Sequence, residues 1–324
     1  MFAVTGDLDY LAKTLLLPRW SRNTNLCTLC RCTKNGLTSY LDNRYPDAGW
    51  LATLWQPVDW KKWPEKSSCT LFQLHWLSAA NVYYDWMHIK HLGNDQYVFG
   101  STLYYLCFCI LPGSPAENLK ILWQWILRYY KKHKIIKNRY RALNKLTMFV
   151  KKKSYPKLRG KAVEIKNFGP VIVQVWKHFC NKKDKTHRMI TALLETSAEL
   201  DDILARYPTK AGYFALPEAA GDEFIEKCFL VGQLQKQLNE HFKAAAIKIF
   251  NLTAKNHCMM HAALVSKLVH PGLVWCYQGE DFMKAVKRLV MSCVVGNNAF
   301  QAMSKATIHY NLAQHLQYEE EARR

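Results

Sequence analysis

Two pairs of residues have the types and spacing that bind metal. Cys27-Thr-Leu-Cys30 puts two thiolates on one tight turn, where both can reach a single tetrahedral Zn²⁺. Alone it is a half-site. His257-Cys-Met-Met-His261 supplies the other half, because a spacing of four sets both imidazoles on one face of a helix. Together the pairs predict a structural Cys₂His₂ zinc site. Two plainer readings stand beside it: Cys32, close behind, is a ligand in place of another, or the histidines are hydrogen-bonded members of a core.

Three acidic positions could carry phosphoryl or proton chemistry. FAVTG is a short apolar run that ends at Gly6 and Asp7, and LDYLAKTLLL has apolar residues at helical spacing. The pattern predicts strand, turn and helix, with Asp7 at the strand's carboxyl end; a helix cap is its plainer role. Asp85-Trp-Met-His88 sets a carboxylate and an imidazole on neighbouring positions of one helical face, as an accessory pair or only a local hydrogen bond. Glu280 falls in the first turn of a predicted helix after the Pro271-Gly272 break, where the helix dipole alone favours an acid.

Charge is concentrated in one place. Lys and Arg number 45 against 25 Asp and Glu, a formal +20 over 324 residues, which points to a polyanionic partner. Between Arg128 and Lys166 lie fifteen cations and a single acid, Glu164. Lys131, Lys132, Lys134, Arg139, Arg141, Lys151, Lys152, Lys153 and Arg159 are the nucleic-acid-binding candidates, interleaved with Tyr129, Tyr130, Tyr140, Phe149 and Tyr155 as stacking groups. A solvated helix face usually carries balanced charge, and this stretch does not.

The elements that must position these groups are mostly helical. Candidate helices cover 71–91, 97–111, 116–132, 137–152, 161–179, 185–206, 217–249, 253–269 and 279–295, broken at LPGSP, SYPKLRG, RYPTKAGY and HPGL. Residues 1–20 form a core strand and helix bearing Asp7, 21–70 an irregular Cys- and Trp-rich segment, 71–250 a helical insertion, and 251–324 the histidine helix and the Glu280 helix, ending in a frayed EEEARR tail. The fold class is mainly α with a small β component. Tyr97 to Leu111, the most apolar stretch, is shorter than the roughly 20 residues a membrane span needs, so a buried helix is expected and no membrane partner. MFAVTGDLDY has no signal-peptide pattern, and eleven cysteines then fit reduced thiols in an intracellular chain.

In order along the chain, these residues resemble the CACTA (En/Spm-like) DDE transposases and, more distantly, the Transib-related recombinases of antigen-receptor assembly. GDLDYLAKTLLLPRW…NLCTLC is similar to that family's second aspartate, followed by a helix and a Cys-x-x-Cys. DWMHIKHLG is similar to its D-x-M-H…L-G segment. FNLTAKNHCMMHAALVSKLVHPGLVWCYQGEDFMKAVKRL resembles the stretch in which two histidines precede the catalytic glutamate. The likeness spans nearly the whole chain as short islands. The LPxW, CxLCxC, DxMHxKxLGxDQY and WCYxGEDFM elements also resemble a multicopy dinoflagellate protein family.

The resemblance implies an RNase H-like core interrupted by a large helical insertion, with Asp7 and Glu280 as catalytic ligands of Mg²⁺ ions and the zinc as a clasp ahead of Glu280. It also implies DNA as partner, with RNA a further polyanion, a homodimer and a nuclear location. The family's first aspartate belongs well upstream of the second, yet only six residues precede Asp7. The expectation is therefore an incomplete core: a transposase-like DNA-binding protein, truncated or inactive. The alternative is a non-catalytic helical nucleic-acid-binding protein that uses its Lys/Arg-rich stretch.

Overall fold

The computed structural model describes residues 3–17, 26–62, 68–294 and 298–322. Its elements run β1 (Val4–Gly6), α1 (Leu8–Lys13), α2 (Pro57–Lys62), β2 (Val82–Tyr84), α3 (Asp95–Tyr105), α4 (Pro115–Lys132), α5 (Ala162–Phe179), α6 (Lys185–Arg206), α7 (Glu218–Ala244), α8 (Ala254–Leu264), α9 (Tyr277–Val294) and α10 (Ala299–Ala322). The fold is mainly α, as expected. It divides into two compact units, Met1–Trp275 and Cys276–Arg324. The histidine pair thus belongs to the first unit and the Glu280 helix to the second.

Within the first unit, α5, α6 and α7 pack in succession, α8 lies against α7, and β2 lies against α8. Among the described residues the sheet has two strands. They are parallel, with Val4 opposite Val82, Thr5 opposite Tyr83 and Gly6 opposite Tyr84. Asp7 and Asp85 follow at the carboxyl ends of these neighbouring strands. Asp7 caps α1, its carboxylate accepting from the Tyr10 amide at 2.6 Å. The Thr5 hydroxyl donates to the Val274 carbonyl at 2.8 Å, tying β1 to the last turn of this unit.

Several helix expectations hold because strong caps mark them. Ser114, Pro115 and Glu117 form a capping box at the start of α4, and Asp184 caps α6. Two fail. In place of a helix over 71–91, the chain makes short 3₁₀ turns and β2, and turns helical only near its end, as a π-helix from Met87. Val82-Tyr83-Tyr84 is β-branched and aromatic, the composition that prefers a pleated surface.

Residues 137–152 are also irregular, with one 3₁₀ turn at Leu146–Met148 and left-handed backbone at Asn138, as at Lys134 and Lys153 on either side. The 97–111 stretch is helical, but its last turn, Leu106–Ile110, widens to a π-helix and leaves Phe108 partly exposed. Among the described residues no helix is long and apolar enough to cross a membrane. Within the EEEARR tail, α10 continues to Ala322.

Among its described residues the Cys- and Trp-rich segment is irregular apart from α2 and a short 3₁₀ turn, yet anchored. Trp50 and Trp60 are fully buried. The Trp50 indole donates to the Asp42 carbonyl at 2.8 Å, and Arg44 grips the Asp42 carboxylate through Nε and a terminal nitrogen, each at 2.8 Å. That pairing holds the Asp42 carboxyl down at about 2.

Candidate metal centre

The cysteine turn is built before the histidines reach it. Trp55 donates its amide to Leu29, and Arg31 donates to Thr53, so a short antiparallel contact holds Cys30 against Leu54. The Leu29 amide points at the Cys27 sulfur, 3.3 Å away, as backbone donors do around a thiolate. On the other side, Thr253 and Asn256 form the capping box of α8, which fixes the register that turns His257 and His261 inward one turn apart.

The two halves meet. Cys30 Sγ is 3.3 Å from His257 Nε2, Cys27 Sγ is 3.4 Å from His261 Nε2, and the two Nε2 atoms are 3.0 Å apart. In tetrahedral zinc geometry, bond lengths of about 2.3 Å to sulfur and 2.0 Å to nitrogen put neighbouring ligand atoms roughly 3.3 to 3.8 Å apart. The observed edges are close to that. Cys32 joins them: ligand atoms of Cys27, Cys30, Cys32 and His257 all lie within 4.8 Å of one another. This buried Cys₃His cluster can hold a metal such as zinc, and His261 adds a fifth donor beside it.

The surroundings favour a thiolate at one of the three cysteines, Cys27. Burial alone would raise the Cys27 thiol, but hydrogen bonds from Cys30 and Cys32 and the His261 and His257 imidazoles hold it well below the ordinary value. Cys30 and Cys32 are pushed up, Cys30 first by burial and Cys32 first by the Cys27 sulfur. His257 is lowered by burial, so its neutral, ligating form is favoured. Trp50 walls the site, with its ring 4.5 Å from that of His257 and 4.8 Å from that of His261. The Tyr84 hydroxyl lies 3.4 Å from Cys27 Sγ, which joins the cluster to the end of β2.

One residue beyond Tyr84 a second constellation begins. Asp85 is fully buried; its carboxylate accepts from the Met87 amide at 3.0 Å and pairs through its other oxygen with His88 Nδ1. The chain then winds as a π-helix over Met87–Asn94, a form that frees carbonyls from the ordinary ladder. Lys255 of α8 fills the gap, donating to the His88 and Leu92 carbonyls at 2.7 and 3.0 Å. Burial and Lys157 bring its ammonium down to about 8, against the attraction of Cys258, Asp7 and Asp85. Asp7, Asp85 and Lys255 therefore share one electrostatic neighbourhood.

Glu280 lies on α9, as expected, but its side chain is outside the described residues. The basic stretch is where the sequence put it: Lys131, Lys132, Lys134, Arg141, Lys151, Lys152, Lys153 and Arg159 are exposed, and Arg139 lies over the Tyr130 ring at 5.0 Å. Arg139, Arg141, Arg159 and Lys161 line an open cleft of about 460 Å³, with Glu164 its one acid. Tyr130, Tyr140 and Phe149, expected to stack on bases, are core residues instead. Tyr130 faces inward from α4, and Tyr140 and Phe149 join Leu143 and Leu158 on the apolar underside of the irregular segment that follows.

Sequence reasoning did not find a buried ion network beside α3. Lys90 donates to Asp95 and Asp201, each at 2.8 Å; His91 lies 3.0 Å from Asp201, and Ser197 donates to Asp95 at 2.8 Å. Because the Lys90 ammonium already fills the space between the carboxylates, the network is structural rather than metal-binding. Its signal was the dense run His-Ile-Lys-His-Leu-Gly-Asn-Asp inside an otherwise apolar helix region.

Compared with known proteins, the sequence matches no family model, and neither a curated protein nor a solved structure is similar to it.

Proposed function

We propose that this chain is a DDE transposase-like DNA-binding protein, related to cut-and-paste transposition by two-metal phosphoryl transfer. The observation that carries the reading is the meeting of Cys27 and Cys30 with His257 and His261 across more than two hundred residues. That long-range pairing is what the resemblance to CACTA transposases implies. A zinc ion there would pin the segment after β1 to the helix that precedes Glu280.

Asp7 and Glu280 would be ligands of Mg²⁺, in a site where two ions about 4 Å apart activate the attacking oxygen and stabilise the leaving one. Asp7 stands at a strand's carboxyl end beside Asp85, a position that supports this role. Asp85 would act through His88, holding its imidazole in one orientation. The exposed cations from Lys131 to Lys161 would track the phosphates.

A second reading has its own support. Asp7 is already engaged as the cap of α1, which is all that a non-catalytic helical nucleic-acid-binding protein would ask of it.

The test is a pair of measurements on the full chain. Duplex DNA should bind with a salt dependence that flattens when Lys151, Lys152 and Lys153 are changed to Gln, because three phosphate contacts are lost. Asp7→Asn and Glu280→Gln should keep that affinity and abolish Mg²⁺-dependent strand cleavage or transfer. If cleavage survives both changes, the second reading replaces the first. If the chain binds without cleaving, the first reading still requires Mg²⁺ binding that Asp7→Asn and Glu280→Gln remove, and without it the second stands. Affinity that ignores the lysines rejects both.

A further inference from the structure

α4 and its C-cap residue carry Trp125, Tyr129 and His133 at intervals of four, so their rings fall on one side of the helix. They form a column. Tyr129 and His133 stack with centroids 4.1 Å apart and planes 29° apart, and Trp125 and Tyr129 are 5.9 Å and 19° apart. His178 of α5 extends it beyond Trp125, at 5.7 Å and 37°.

The column is not core packing alone. Trp125 and Tyr129 are half-buried, and His133 and His178 are exposed. Beside it opens a cleft of about 550 Å³ lined by Trp125, Arg128, Tyr129, Lys132, His133 and Gln174. Those residues offer π-faces, two cations and an amide, and no carboxylate. Such a wall has two complements at once, flat rings and negative charge. Unpaired nucleotides supply both, whereas the bases of a duplex are already stacked on each other and show the cleft only phosphates.

We infer that the Trp125–Tyr129–His133–His178 column is a binding site for single-stranded nucleic acid, whose bases stack on the rings while Arg128 and Lys132 take its phosphates. This deepens the nucleic-acid reading above and rests on it. Every base has a π-face, so the site is indifferent to sequence.

The test is fluorescence anisotropy of the full chain with a short labelled single strand and with its duplex, at one salt concentration. Trp125→Ala with Tyr129→Ala should weaken single-strand binding by about tenfold or more and leave duplex binding within about twofold. Trp125→Phe should restore most of the loss. Because Trp125 and Tyr129 also pack inward, His133→Ala with His178→Ala, at exposed positions, provides a second variant; it should lower single-strand affinity about threefold without moving the melting temperature.

Equal losses on both nucleic acids, or none in a folded variant, overturn the inference. Wild-type binding to duplex with no effect of the ring changes defeats the stacking site alone. Binding to single strands but not to duplex, with the ring effects present, defeats the duplex-DNA reading and leaves the site standing.

Discussion

The Cys30 sulfur and the His257 Nε2 lie 3.3 Å apart, although 227 positions separate them in the chain. Nothing local brings them together, and a metal there would close a loop of more than two hundred residues. The purified protein is expected to carry about one zinc per chain. Cys30→Ser should abolish it and cost about 4 kcal/mol or more, roughly 8 °C or more in Tm. Metal content by mass spectrometry, with melting curves before and after chelation, measures both. A wild-type chain without metal whose melting ignores chelators would show the cluster to be a thiol and imidazole core only.

The structure gathers five donors where a tetrahedral ion takes four. Cys27, Cys30 and His257 belong to either set, and the mutual closeness of Cys32 to all three favours the Cys₃His set. Cys32→Ser is therefore expected to lose zinc, while His261→Ala keeps it with affinity lowered about 10- to 100-fold, the scale of an outer-shell partner. Cobalt substitution reads the difference, since its absorption band reports the number of bound thiolates. Loss of metal in His261→Ala with retention in Cys32→Ser would restore the Cys₂His₂ set that the spacing of the two pairs first suggests.

The Lys90–Asp95–Asp201 network gives a pH prediction whose sign follows from its geometry. Burial alone would raise the Asp201 carboxyl, yet Lys90 and His91 hold it well below the usual range. A carboxyl depressed in the fold stabilises it above the unfolded value, near pH ~3.9, and that stabilisation is lost as pH falls through the folded value. Lys90 runs the other way: burial opposes its charge, Asp201 and Asp95 more than reverse this, and its contribution is lost only as pH rises beyond about 10. Asp201→Asn should therefore cost about 1 to 3 kcal/mol near neutrality, because the buried ammonium loses one of its two carboxylates and keeps only Asp95. The gap between the variant and the wild type should shrink below pH ~4. Thermal melts from pH 3 to 8 check it, and a gap constant across that range would show that the network contributes no charge.

How much of this was legible depends on whether the signal was local. Ser114, Glu117, Asp184 and Thr253 mark helix starts by short-range hydrogen bonds, and those helices stand where the sequence put them. The spacing within each Cys and His pair is equally local, so the half-sites could be read. β2 could not: its three residues sit in a run of helical texture, and its partner β1 lies far upstream. Cys32, Trp50 and Tyr84 join the cluster only through the tertiary fold, as does the capping of a π-helix by Lys255. Beyond α4 the basic stretch has no regular element, so there the sequence showed the charges but offered no period to tell which rings faced inward.

Gly100 is the sharpest test of how that irregular stretch is held. It lies in α3 where the segment after the three lysines passes against the helix, and the Leu158 amide donates to the Gln96 carbonyl at 2.8 Å. A Cβ at Gly100 would lie 2.7 Å from the Leu158 nitrogen and 3.0 Å from the Lys157 backbone. The obstacle is main chain, which cannot swing away as a side chain would. Gly100→Ala should therefore destabilise the fold by about 1 to 3 kcal/mol, although alanine is the better helix former in isolation. It should also speed amide exchange at Leu158, since separating the two backbones breaks that bond. Melting curves and hydrogen exchange read the two effects together. A neutral or stabilising Gly100→Ala with Leu158 still protected would mean that the lysine-rich segment is not docked on α3 in this way.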